Sequence, residues 1–118
     1  MKSYTDLEQS KKLAEILPLE SADMCYINGD SGKIIIGEWG NNVHDEDDIP
    51  CWSLAALLGV LPDFIGDYGK CLYYDVGGYY CGYMVDGDFM LTIEETNADN
   101  QIDACYEMIL KLHEQKLL

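Results

Sequence analysis

"LYYDVGGYYCGYMVDGDFML", residues Leu72 to Leu91, holds five of the chain's nine tyrosines. Gly77-Gly78 is a two-residue hairpin signal between two runs of aromatic and β-branched residues. A turn there pairs Val76 with Tyr79, Tyr74 with Cys81, and Leu72 with Tyr83. Leu72, Tyr74, Val76, Tyr79, Cys81, Tyr83 and Val85 then share one face. At Asp86-Gly87-Asp88, a three-residue loop pairing Val85 with Phe89 brings Phe89, Leu91 and Ile93 onto that same apolar face. This predicts a type I turn with Gly87 left-handed, closing a three-stranded meander. The opposite face carries Tyr73, Asp75, Tyr80, Gly82, Met84, Met90, Thr92 and Glu94. Two tyrosines and two methionines exceed what a solvated face needs, and Tyr with Met is the composition of adaptable contact surfaces.

Working outward, "MCYINGDSGKIIIGEW" reads as a hairpin, with strands near Met24 to Ile27 and Lys33 to Trp39 about the Asn28-Gly29 and Gly32 turn residues. "TDLEQS" at Thr5 to Ser10 carries a capping box of Thr5 and Glu8, so a helix is expected over Asp6 to Leu17, ending before Pro18. "PCWSLAALLGVLP", Pro50 to Pro62, reads as a short helix with Pro50 in its first turn. It has almost no polar face, so it is a core helix or one that faces a partner. A last helix is capped by Asp99 or Asn100, with the stripe Ile102, Cys105, Ile109 and Leu112. The fold class is α+β in the order α-β-β-α-β-β-β-α: an antiparallel sheet of four to five strands, hairpin plus meander, with three packed helices. At 118 residues, 1–118 forms a single domain.

The chain has 22 acidic residues against seven Lys and Arg together, all lysine, and a net charge of −15. Neutralising nucleic-acid phosphates requires Arg and Lys, so direct DNA or RNA binding is excluded as an expectation. No apolar run reaches the length of a membrane span, and the polar start "MKSYTDLEQSKK" lacks a secretory h-region, which gives a cytoplasmic expectation without membrane association. Five cysteines without a CxxC pair read as buried free thiols. The acid run Asp45, Glu46, Asp47 and Asp48 lacks EF-hand spacing and reads as a solvated loop. His113 suits the C-terminal end of its helix. No nucleotide, hydrolase or zinc motif occurs. No catalytic residue, metal ligand or cofactor is therefore expected. An enzyme would need a deep pocket with convergent polar groups, for which no pattern is present.

"IPCWSLAALLGVLP" with "IDACYEMILKLHEQKLL", preceded by the opening "YTDLEQSKKLAEILPLESADM", resembles a family of small uncharacterised proteins from prophages and other mobile elements of gut bacteria. The resemblance covers roughly half the chain and leaves the tyrosine-rich meander outside it. It implies an accessory gene of phage or mobile-element type and transfers no site residues. Two functions compete on the residues themselves. One is protein-protein contact, with an unknown protein partner or a second copy, through Tyr73, Tyr80, Met84 and Met90 or through the helix bearing Trp52. The other is an acidic decoy that imitates DNA towards a nucleic-acid-binding enzyme, using Asp45 to Asp48, Asp63, Asp67, Asp86 and Asp88 in rows.

Overall fold

The computed structural model describes residues 2–27, 34–36, 47–85 and 88–118, with backbone alone at 34–36 and 88–93. It is an α+β protein in two compact units, Ser3–Gly59 and Val60–Leu118 with the first two residues.

In the first unit, α1 (Leu7–Ile16) leads through a single 3-10 turn to β1 (Met24–Tyr26), then β2 (Ile34–Ile36), β3 (Ile49–Cys51) and the start of α2 (Leu54–Val60). The strands form an antiparallel sheet in the order β2-β1-β3. The capping box of α1 is Asp6 with Gln9, one residue later than Thr5 with Glu8: the Gln9 amide donates to the Asp6 carboxylate at 2.8 Å, and the Asp6 amide to the Gln9 side chain at 3.1 Å. Both pairs fit the pattern, but Thr5 is fully buried and its hydroxyl accepts the Trp52 amide at 3.1 Å. A side chain engaged that way is not available as a cap.

The expected helix over Pro50 to Pro62 is shorter than the sequence suggests. Ile49, Pro50 and Cys51 pair with Tyr26, Cys25 and Met24, so Pro50 lies in a strand. β3 is an edge of its sheet, where a residue without an N–H is tolerated. The helix begins after Ser53, whose hydroxyl accepts the Ala56 amide at 3.3 Å and whose own amide donates to Asp23 at 2.9 Å. Of α2, Leu57 is buried while Ala55 and Gly59 are exposed.

In the second unit, β4 (Phe64–Ile65), β5 (Tyr68–Asp75), β6 (Gly78–Val85) and β7 (Asp88–Ala98) form an antiparallel sheet in sequence order, and α3 (Gln101–Glu114) packs on β6 and β7. β4 is a strand the sequence did not reveal, joined to β5 through Gly66 at φ +62°. The two hairpins thus belong to separate sheets among the described residues. Asn100 caps α3, its side chain accepting from the Asp103 amide at 2.8 Å. The predicted stripe Ile102, Cys105, Ile109 and Leu112 is fully buried, joined by Met108, Cys81 and Tyr83. Thr96 links sheet to helix by donating to the Ala104 carbonyl at 2.6 Å.

The core of the first unit contains a polar knot. Thr5 Oγ1 and Ser10 Oγ are 2.8 Å apart, and the Thr5 carbonyl accepts from the Tyr26 hydroxyl at 2.6 Å and the Cys51 thiol at 3.4 Å. The Thr5 amide donates to the Trp52 carbonyl at 2.9 Å. Each buried polar group therefore has a partner, as burial requires.

Candidate contact surface

The β5–β6 hairpin pairs Asp75 with Gly78, Tyr74 with Tyr79, Tyr73 with Tyr80 and Leu72 with Cys81. The loop is Val76-Gly77 rather than Gly77-Gly78, so each predicted partner moves by two residues. A shift of two preserves side-chain parity, and the assignment of tyrosines to faces survives.

The glycines explain the slip. Gly78 opens β6 at φ +120°, and a Cβ there would meet the Ala98 carbonyl oxygen at 2.7 Å. Any L-residue at that position is strained by both dihedral and contact. A Cβ on Gly77 would fall 2.3 Å from the Tyr80 hydroxyl, and the Gly77 carbonyl accepts from Asn97 Nδ2 at 3.1 Å.

The pairing of β6 with β7 departs further from expectation. Tyr83 pairs with Glu94, Met84 with Thr92 and Val85 with Asp88, with register shifts on either side of Met84. The regular register of Val85 with Phe89 does not form. The irregularity places Glu94 and Thr96 with Cys81 and Tyr83 on the face covered by α3, where Glu94 takes an ion pair from Lys111 at 3.1 Å and a hydrogen bond from Gln115 at 2.9 Å. Turn residues 86 and 87 lie outside the described residues, as do the side chains of Phe89, Met90, Leu91 and Ile93.

Of the five tyrosines in the quoted stretch, Tyr83 is core: it is fully buried and donates to the Pro62 carbonyl at 2.6 Å. The other four clothe the outer part of the hairpin on both faces. Tyr73 and Tyr80 stack with centroids 4.9 Å apart and planes 4° from parallel. The Tyr73 hydroxyl donates to the Glu95 carboxylate. Tyr73 sits on β5 and Glu95 on β7, and the residue opposite Glu95 on β6 is Gly82, which has no side chain to block the diagonal reach. Burial, reinforced by that carboxylate, pushes the Tyr73 hydroxyl well above the usual tyrosine range. On the other face Tyr74 and Tyr79 lie 5.0 Å apart, tilted by 57°. Tyr74 is 70% exposed and Val76, at the turn, 98% exposed.

Two expected contact residues are instead interior. Trp52 is fully buried, its indole N–H donating to Ser21 Oγ at 3.0 Å, and Met84 is 2% exposed. Neither is offered to a partner. The side chain of Met90 lies outside the described residues. Of the acidic candidates, Asp47 is exposed and Asp48 half-buried, while Asp45, Glu46, Asp86 and the side chain of Asp88 lie outside the described residues. Tyr74, Val76 and Glu95 were not singled out from sequence; the hairpin turn next to alternating tyrosines was the available signal.

Three of the five thiols are held protonated by their surroundings. Cys25, Cys51, Cys81 and Cys105 are buried free thiols and Cys71 is half-buried. Burial raises the Cys25 and Cys51 thiols above the ordinary cysteine range. The Cys81 thiol is raised by its hydrogen bond to Cys105 together with burial, and the same hydrogen bond lowers Cys105. Thiols held protonated are poor nucleophiles. Among the described residues no group of three or more His, Cys, Asp or Glu side chains is arranged to hold a metal ion, and no helix is long and apolar enough to cross a membrane. No family model, curated protein or solved structure matches the chain.

Proposed function

We propose that the protein is a non-enzymatic accessory protein, of phage or mobile-element type, that acts through protein-protein contact at the tyrosine-clad tip of the β5–β6 hairpin. The observation that carries this reading is the exposure of Tyr74 and Val76 beside the half-buried Tyr73, Tyr79 and Tyr80. Exposed apolar and aromatic side chains gathered at one place are what contact surfaces are made of, whereas single exposed ones are ordinary. The five free thiols suit a reducing compartment, which supports action in the cytoplasm.

The test is a photo-crosslinking amino acid placed at Tyr74, with the same probe at the exposed Glu107 on α3 as control. In lysate of the cells that carry the gene, the Tyr74 probe should give a discrete adduct. Untagged wild-type protein should displace it, and a Tyr74→Ser, Val76→Ser variant should not. No adduct at Tyr74, or the same adducts from both positions, would sink the proposal.

The net charge of −15 supports a second reading, the acidic decoy of a nucleic-acid-binding enzyme. Its contact would be carried by charge, so salt would release it, whereas contact through Tyr74 and Val76 would persist.

A further inference from the structure

We infer that the hairpin surface takes an arginine-bearing segment of a partner protein, an inference that rests on the contact reading above. Three features of the hairpin and its neighbour strand converge on a guanidinium. The first is aromatic: the stacked Tyr73 and Tyr80 pair, on the face of the hairpin that also carries Asp75 and Glu95. The second is anionic: Asp75 at the end of β5, Glu95 opposite Gly82 within β7 and Asp99 just past β7 are all exposed. Glu95 joins the two features, since its carboxylate accepts from the Tyr73 hydroxyl and a carboxylate has capacity for several donors.

The third feature is the missing counter-charge. Lys70 is the only cationic residue in sequence between positions 34 and 110, and it is committed to Asp63 at 3.2 Å and to the Leu61 carbonyl at 3.3 Å. Lys111 is occupied with the Glu94 carboxylate at 3.1 Å and the Glu95 backbone carbonyl at 3.4 Å, and leaves the Glu95 carboxylate to the Tyr73 hydroxyl. A second copy would bring the same net charge of −15 and no arginine. Charge complementarity therefore points to a partner of opposite sign. Tyrosine faces beside carboxylates favour arginine over lysine, because the planar guanidinium stacks on a ring while its N–H fork donates in plane to a carboxylate; an ammonium does only one of these well.

The experiment is amide NMR of the full chain titrated with capped tetra-arginine and, separately, capped tetra-lysine peptide. Signals of residues 73–80 and 95–99 should shift, with the arginine peptide binding about two- to fivefold more tightly than the lysine peptide, the range that a surface cation–π contact supplies. Tyr80→Leu should abolish that preference, Glu95→Gln should weaken both peptides, and the variants' own spectra report that they are folded. Equal affinity for the two peptides overturns the inference. So do shifts as large on the exposed acids of α1, Glu8 and Glu15, as on the hairpin, or a concentration-dependent dimer through the hairpin that the peptide fails to displace. If the Tyr74 photoprobe still yields a displaceable adduct after such a result, the contact reading stands and only the arginine assignment falls.

Discussion

Replacing Thr5 by valine keeps the shape of a fully buried side chain and deletes one hydroxyl. In the structure that hydroxyl accepts the Trp52 amide at 3.1 Å and lies 2.8 Å from Ser10 Oγ. Valine therefore leaves a buried amide without its acceptor, at about 1–3 kcal/mol, and removes a neutral hydrogen bond to Ser10, roughly 1 kcal/mol. Ser10 keeps a fallback, since its hydroxyl also donates to the Thr5 carbonyl at 3.4 Å, so the second contribution is reduced. The expected loss is about 2–3 kcal/mol. At roughly 4 °C per kcal/mol for a domain of this size, Tm should fall by about 8–12 °C. Thr5→Ser is the control: it keeps the hydroxyl and loses one buried methyl, about 0.8 kcal/mol. Urea denaturation of the three proteins, followed by circular dichroism and tryptophan emission, gives the ordering directly. Wild type should be most stable, then Thr5→Ser, then Thr5→Val, at a common m-value. A valine variant within about 0.5 kcal/mol of wild type, or less destabilised than serine, would refute the role given to the hydroxyl.

Two further outcomes follow from the second unit. Gly78→Ala should cost about 1–3 kcal/mol in a thermal melt, because it combines a strained positive φ with a backbone contact of 2.7 Å, whereas Gly59→Ala, in open space, should be neutral or stabilising. Titration of the native protein with a thiol reagent should show prompt reaction at Cys71, identified by mass spectrometry, and slow reaction at the four buried cysteines, all five reacting after unfolding. Prompt labelling of Cys81 or Cys105 would contradict the burial of the α3 interface.

Patterns set by local periodicity were legible in the sequence. The α3 stripe follows from apolar spacing of three and four, and the tyrosines of β5 and β6 were sorted onto the correct faces because parity survives a shift of two residues. What was not legible depended on distant partners. The rival capping boxes of Thr5 and Asp6 are locally equivalent, and the choice is made by the Trp52 amide, 47 residues away. Pro50 suits a first helical turn as well as an edge strand, and only pairing with Cys25 decides. The candidate surface was legible only in part for the same reason. Alternation shows that Tyr73, Tyr80 and Met84 share a face, but not that Met84 becomes interior while Tyr74, on the other side, stays open.

The distribution of chromophores gives the protein two built-in optical reporters. Both tryptophans, Trp39 and Trp52, fall between residues 3 and 59 of the sequence, and Trp52 is buried with its indole hydrogen-bonded, a setting whose emission moves to the red when water enters. Seven of the nine tyrosines, from Tyr68 to Tyr106, belong to the other unit. Tryptophan emission therefore follows one half of the chain and tyrosine absorbance chiefly the other. The separation between their two melting curves, without any label or mutation, measures how strongly the halves depend on each other to stay folded.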